Sequence, residues 1–460
     1  MINYSNRDFA SIKAALLKNI ETNFPTTFND FYEDSSGVMF TEAFANVADL
    51  LSFYLDIAAS NAFIKTANIR QSVSRLGETV GFRLHSVTPS LVALTGTLPA
   101  VQAGTVTLNE GQAVTVQKNG YSYTYTTVED MHIPEGNIIG SANAVEGFFV
   151  TETFSLEGEP DQEITLGTKG ASFDYATVTV NGEVWTESQF FIQEDETSKI
   201  YSLRLNENGY LVVTFGDGDL GMIPPQFGTV VIKYLIPSGV TGSISQGSIN
   251  VDVTPDSHPS ILMNLTNNTH SSGASDGMTI EKAKIAIPGH TRAVGRLFSK
   301  PDYIDNVGTY PGVDRIAVYT LEDTCVAGQY IRPWQVICYL TFEDGEPGNE
   351  AKLLEIFDWA TERKNVGTDI SIRNAEEVTI DIAGVIDFMP GAFKKNVILA
   401  AETALKTIFS KADIGESVPE SLLISTIQTT SGVASVALTS GASDTIEQHQ
   451  IAKLGKIELV

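Results

Sequence analysis

The sequence predicts a multidomain α+β protein with an N-terminal helical segment, a β-rich middle region and C-terminal α+β modules. Three observations carry this reading. Residues 1–88 repeat apolar side chains at helical spacing. Residues 89–275 alternate in strand-like runs separated by Asn-Gly turn signals. Beyond residue 276, two stretches share one order: a helix start, a helix, Gly-Val and a strand. A chain of 460 residues suits about three domains. The composition shifts divide it into 1–88, 89–275, 276–365 and 366–460.

The first helix starts at Asp8, whose side chain can cap it. Its apolar positions are Phe9, Ile12, Leu16, Ile20 and Phe24, with Pro25 just past its end. A loop, Asn29 to Gly37, follows. In the second helix Phe40, Phe44, Val47, Leu51, Tyr54 and Ala58 fall at helical spacing, with Ala43, Leu50 and Ile57 alongside. That apolar face is wider than a single packing stripe. A third helix sets Ile69, Val73, Leu76 and Val80 on one side, before Gly81. Faces this broad need cover, either within the chain or from partner chains. Phe44, Val47, Leu51 and Tyr54 are the candidate partner interface.

The middle region reads as a β-sandwich or barrel, in two pieces. Its runs are Leu91–Leu98, Val114–Val116, Tyr121–Val128, Ala176–Val180 and Tyr201–Leu205, with turn signals at Asn119-Gly120, Asn181-Gly182 and Asn208-Gly209. Tyr121, Tyr123 and Tyr125 share one strand face. The most informative stretch is Phe215-Gly216-Asp217-Gly218 with Gly221, Pro224, Pro225 and Gly228, between the runs Tyr210–Thr214 and Val230–Leu235. Its glycines permit positive φ and its prolines fix φ on exit, which reads as a structured hairpin. Asp217 and Asp219 lack the later ligands of a calcium loop, and no Lys-Ser/Thr follows as a phosphate loop requires. The segment is expected to be architectural.

The polar stretch Asn264–Ser275 reads as a linker or long loop. Then Ser299-Lys300-Pro301-Asp302 resembles a capping box, Gly312-Val313 ends a helix, and Ala351–Arg363 is helical with Leu354, Phe357 and Trp359. Val378, Ile380 and Ile382 alternate in a strand. A long helix from about Ala392 carries Phe393, Val397, Ala401, Ala404 and Ile408. Ser417-Val418-Pro419-Glu420 is a second capping box, and Gly432-Val433 opens a strand.

Composition narrows function. Lys and Arg number 29 against 56 Asp and Glu, a formal charge of −27. Residues 1–88 hold only −2 of this and residues 89–275 hold −16. So acidic a middle repels phosphates, and no nucleic-acid partner is expected. Cys325 and Cys338 make neither a metal spacing nor a disulfide framework, and six scattered histidines offer no zinc set. They read as thiols on neighbouring strands in a reducing compartment. No signal peptide is visible and no uninterrupted apolar run approaches membrane-spanning length, so no membrane association is expected. No catalytic residues, cofactor or metal are expected.

Together these features resemble the baseplate J-like family of contractile phage tails and related injection machines. The N-terminal part is similar through Asp8-Phe9, Asp34-Ser35-Ser36-Gly37, Ala48-Asp49, Ala67 to Val73, Leu76-Gly77 and Gly81-Phe82. The loop Phe215-Gly216-Asp217-Gly218 with Gly221, Pro224-Pro225, Gly228 and Tyr234 is the most specific likeness. Gly273 to Gly277, Ile280-Glu281-Lys282-Ala283, Pro301-Asp302-Tyr303, Pro311-Gly312-Val313, Ile414-Gly415-Glu416 and Gly432-Val433 extend it. Lys284 stands where the family often has arginine, and Lys300-Pro301 where it often has threonine.

The resemblance implies a scaffold: a baseplate wedge subunit in the virion tail, assembled in the host cytoplasm. Two conformers of the chain would pair with a second wedge subunit. Six wedges would ring the hub, contact the sheath-initiator proteins, and couple fibre signals to sheath contraction. The N-terminal helices would join a bundle shared between subunits, and the C-terminal region would supply dimer contacts. Hinges are expected near 86–90 and 264–277, where composition shifts. A receptor- or glycan-binding tail protein is the alternative, since it would explain the β-rich middle and its tyrosines. It leaves the helical N-terminus unexplained. A wall-degrading hydrolase would need a pair of carboxylates that the sequence does not single out.

Overall fold

The computed structural model describes residues 8–28, 30–33, 35–323, 325–441 and 446–459. Asn29 and Asp34, both in the expected loop, lie outside the described residues. The chain divides into two compact units. One runs up to Leu84 and takes in Thr279–Pro288, and the other comprises His85–Met278 with Gly289 onward.

In the first unit, α1 (Phe9–Asn23) starts as expected: Asp8 accepts from the Ser11 amide at 2.9 Å while Ser11 Oγ accepts from the Asp8 amide at 3.0 Å. Helix α2 (Ser36–Asn61) packs against it. Helix α3 (Arg70–Glu78) buries Val73 and Gly77, while Ile69 and Val80 are exposed beyond its ends. Helix α4 (Ile280–Ala293) contains Pro288.

The β-rich part builds two cores. A six-stranded sheet runs 250–253, 263–267, 91–97, 139–146, 121–127, 113–118. Its core includes Val92, Leu94, Leu108, Tyr125, Met131 and Leu265. Two four-stranded sheets form a sandwich around Trp185, Phe215, Val178, Ile232 and Tyr234. Asn119-Gly120 and Asn181-Gly182 have positive φ at both residues, the backbone of a type I′ turn, and each joins paired neighbours. Asn206 organises the third turn by accepting from the Asn208 and Tyr210 amides, both at 3.0 Å.

The expected linker at 264–275 is instead interior. Met263–Asn267 is a strand paired on both sides, and Ser271, Ser272, Ala274 and Ser275 are buried. The two segments expected to hinge are stitched together, since Thr88 and Ser275 exchange amide bonds at 2.9 and 3.1 Å and Leu91 and Ser272 do so at 2.9 and 3.0 Å. The polar composition misled because these hydroxyls bond inward. Ser90 and Ser271 both meet the buried Tyr125 hydroxyl, at 2.7 and 3.1 Å. The expected tyrosine face is therefore graded: Tyr121 is exposed, Tyr123 half-buried and Tyr125 sealed.

In the third module α5 (Lys300–Val307) begins with Asp302 accepting from the Ser299 amide at 2.7 Å. Helix α6 (Glu350–Arg363) is capped by Asn349 and buries Ile356 and Ala360, leaving Leu354 exposed. They cover the sheet Val313–Tyr319, Gln335–Phe342, Asp369–Asn374, which thus takes a strand from beyond residue 365. Cys325 is half-exposed and Cys338 buried, both free thiols. Burial pushes the Cys338 thiol up to about 12.

The last module lays α7 (Lys394–Phe409) and α8 (Glu420–Gln428) on a sheet ordered 433–440, 376–388, 450–459. The buried stripe of α7 is Val397, Ala401, Leu405 and Phe409, while Phe393 is exposed. The second expected capping box does not form. Pro419 is the N-cap of α8 and makes no side-chain cap bond, so Ser417 stands two positions too early.

Candidate functional site

Two places merit a functional reading: the outward face of α2 and the glycine loop. Helix α2 is inverted relative to an ordinary surface helix. Its buried positions are Val38, Thr41, Ala45, Asp56 and Ser60, which are small or polar. Its large side chains point outward. Phe44 is 69% exposed and Leu51 63%, with Phe40, Val47, Leu50, Phe53, Tyr54 and Leu55 similarly bare. All four expected interface residues are on this surface. Lys13 pairs with Glu42 at 2.5 Å, which ties α1 to the polar side of α2 and leaves the apolar side open. The sequence reading missed Met39, Phe53 and Leu55, which fall off the principal stripe. The signal was a helix apolar nearly all round. By length and composition alone, α2 is also long and apolar enough to cross a membrane, although Glu42, Asp49 and Asp56 interrupt it.

The glycine loop is not a hairpin. The strands before and after it, Tyr210–Phe215 and Thr229–Ile236, pair with other neighbours in opposite sheets of the sandwich. Residues 216–228 form an arch between the sheets. Thirteen residues with two prolines leave room for a crossover that a two-residue turn would not allow.

Several residues at the arch are engaged within the fold. Phe215 is buried edge-to-face on Trp185, with centroids 5.3 Å apart. Asp217 Oδ1 accepts from the Leu220 amide at 2.7 Å and the Asp219 amide at 2.9 Å. These bonds hold its carboxyl below the usual range. Gly218 and Gly221 adopt φ of +94° and +91°, and the Gly218 amide donates to the Gly221 carbonyl at 3.0 Å. Gly221 in turn donates to the Asp195 carbonyl at 3.0 Å. Pro224 is buried and Pro225 exposed, and the Gly228 amide closes a turn onto the Pro225 carbonyl at 3.0 Å. The Asp217 carboxylate is engaged as a loop acceptor. Phe227, 83% exposed at φ +59°, is an aromatic at the arch that the sequence reading did not single out.

A cleft of about 320 Å³ lies between the third and last modules. Its charged groups are turned onto one another. Arg315 donates to the Ser410 carbonyl, and Lys453 pairs with Glu377 at 2.7 Å. Among the described residues no three His, Cys, Asp or Glu side chains gather as metal ligands would.

Family models match the two ends of the chain. The family model described as bacteriophage baseplate protein, N-terminal domain, matches residues 8–79, and that of the baseplate J-like protein C-terminal domain matches residues 378–460. Both ends of the chain thus match domains of baseplate proteins. The exposed face of α2 lies within the first matched segment, and the last module's sheet, from residue 378 onward, lies within the second. Among solved structures, one protein of the anti-feeding prophage baseplate aligns at 13% identity over 99% of this chain and 100% of its own, with a TM-score of 0.36. A component of the type VI secretion TssK-TssF-TssG baseplate subcomplex aligns at 9% identity over 73% of this chain and 96% of its own, with a TM-score of 0.33. No curated protein sequence matches this chain.

Proposed function

We propose that this chain is a wedge subunit. Copies of it, with a second wedge protein, build the ring around the hub and carry fibre signals to sheath contraction. It would assemble in the host cytoplasm and work without catalysis, cofactor or metal. The observation that carries this reading is the outward apolar face of α2. Burying one large apolar side chain is worth about 1.5–3 kcal/mol, and α2 presents eight of them bare: Phe40, Phe44, Val47, Leu50, Leu51, Phe53, Tyr54 and Leu55. A helix so exposed suits a bundle completed by other chains, in a large obligate interface. The near-neutral charge of residues 1–88 opposes such packing little. A protein bundle suits α2 better than a bilayer, because three acids interrupt the helix, of which Glu42 pairs with Lys13 of α1 and Asp56 is buried.

The test replaces Leu51 and Tyr54 by Asp. Both side chains are exposed, so the isolated variant keeps its strand circular dichroism. Buried in a bundle, each unpaired carboxylate costs several kcal/mol, on the order expected for polar groups without partners. Co-purification with the other wedge proteins of the same tail is therefore lost. Unchanged co-assembly refutes the shared bundle, and flotation of the wild type with liposomes in place of co-assembly assigns α2 to a membrane.

A further inference from the structure

We propose that the arch end of the sandwich is a docking surface for another protein, one that presents apolar side chains ringed by lysine and arginine. The surface is separate from α2, and the proposal stands whether or not α2 completes a bundle.

Three segments, 156–162, 181–198 and 216–228, are cross-bonded at this end. The Met222 amide donates to the Ser198 carbonyl at 2.9 Å, beside the bond from Gly221 to Asp195. The Phe227 amide donates to the Leu156 carbonyl at 2.9 Å, and the Asp161 amide to the Gly216 carbonyl at 3.2 Å. Asn181 Oδ1 accepts from the Thr229 amide at 2.8 Å, which brings in the turn at 181–182. These segments leave large apolar side chains in solvent. Phe227, Ile192 and Val184 are largely bare, and Phe190 and Leu220 are exposed as well. Phe227 is the sharpest case. Its φ of +59° lies in the left-handed region, where glycine or asparagine is the ordinary occupant. Its ring stands in solvent, so the fold gains little packing from that backbone. An aromatic side chain kept in such a place suits contact outside the chain.

Charge identifies the occupant. The three segments hold ten Asp and Glu residues and no Lys, Arg or His. Lys199, next along the chain, is paired with Glu183 at 2.6 Å. Apolar side chains set among charged ones are the anatomy of a protein interface, and so many acids call for a basic rim opposite. A second copy would bring acids against acids. Nucleic acid or an anionic lipid surface would bring phosphates against them. A basic protein surface with apolar side chains at its centre satisfies both features at once.

The experiment immobilises the full chain and passes over it, one at a time, the other purified proteins encoded with the same tail, recording association and dissociation rates. A basic partner is expected to bind, with an affinity that falls about tenfold or more as salt rises from about 0.05 to about 0.5 M. Phe227→Asn keeps the left-handed backbone, so its Tm equals or exceeds that of the wild type, yet dissociation quickens about tenfold because the anchor is gone. Replacing Glu159, Glu196 and Asp219, one exposed acid from each segment, by Lys slows association instead and flattens the salt dependence. Binding of none of these proteins overturns the proposal. So does binding that ignores both Phe227→Asn and the three lysines. Self-association that Phe227→Asn abolishes, with no other partner bound, assigns the surface to a second copy and overturns it too. Helix α2 is unaltered in every variant, so failure here leaves the bundle reading untouched.

Discussion

Gly216→Ala isolates what holds the sandwich arch in shape. Gly216 does not need positive φ, so its requirement is purely one of space. A Cβ there would lie 2.3 Å from the Gly221 carbonyl carbon and 2.4 Å from its oxygen. Those are backbone atoms, so no side chain can rotate away. Relief needs a shift of well over half an ångström at Gly221, which is fixed by its bond to Asp195 and by the bond it accepts from Gly218, both 3.0 Å. Overpacking of this kind costs about 1–3 kcal/mol, and each hydrogen bond lost adds about 0.5–1.5 kcal/mol. Lower entropy of the unfolded chain returns about 0.4–1 kcal/mol. The net expectation is a loss of roughly 2–4 kcal/mol from the sandwich. Gly209→Ala is the control: its φ is +80° but nothing lies within 4 Å of an added Cβ, so about 1–2 kcal/mol is expected from backbone strain alone. Gly218→Val combines both effects, at φ +94° with Ile223 Cδ1 2.9 Å away. Hydrogen exchange in urea, read at 210–215 and 229–236, measures the local stability. A Gly216→Ala protein within about 0.5 kcal/mol of wild type, against the 2–4 expected, would falsify the steric argument.

Two further outcomes follow from the buried polar groups. Tyr125→Phe removes a hydroxyl bonded to Ser90 Oγ, Ser271 Oγ and, at 2.8 Å, the Gly242 carbonyl, leaving partners buried without it. A loss of about 1–3 kcal/mol is expected and is read as a lower urea midpoint for the six-stranded sheet, whereas a freely hinging segment would feel nothing. Burial pushes the Asp344 carboxyl up to about 6 from an ordinary 3.8, although it accepts from the Gly273 amide at 3.1 Å. The folded state thus holds a proton that the unfolded state has released between pH 4 and 6, so stability falls as pH rises through that window. Asp344→Asn should flatten this dependence of Tm and raise Tm above pH 6. An unchanged slope would refute it.

The local elements were legible because they are local. Asp8, the Asn-Gly pairs and Gly312-Val313 specify caps and turns through their own backbone preferences, and the structure places elements at each. Errors arose where long-range pairing decides. The glycine loop looks like a hairpin from its flanking strands. Only the pairing of Tyr210–Phe215 with 163–169, and of Thr229–Ile236 with 148–155, reveals an arch. Residues 264–275 look like a linker because serine and threonine are common in linkers. Their burial depends on Tyr125, some 146 positions away from Ser271.

The candidate surfaces divide along the same line. Periodicity finds an apolar face, yet it cannot say whether that face is turned toward its own chain or away. For α2 the direction is decided by what is buried: small and polar residues face inward, and the aromatic and leucine side chains are left outside. A monomer gains nothing from that arrangement, since hydration of those side chains opposes folding of the helix in isolation. Such a face costs an isolated chain solubility. It falls within the segment that matches the bacteriophage baseplate protein N-terminal domain, where a partner surface is the reading proposed for it.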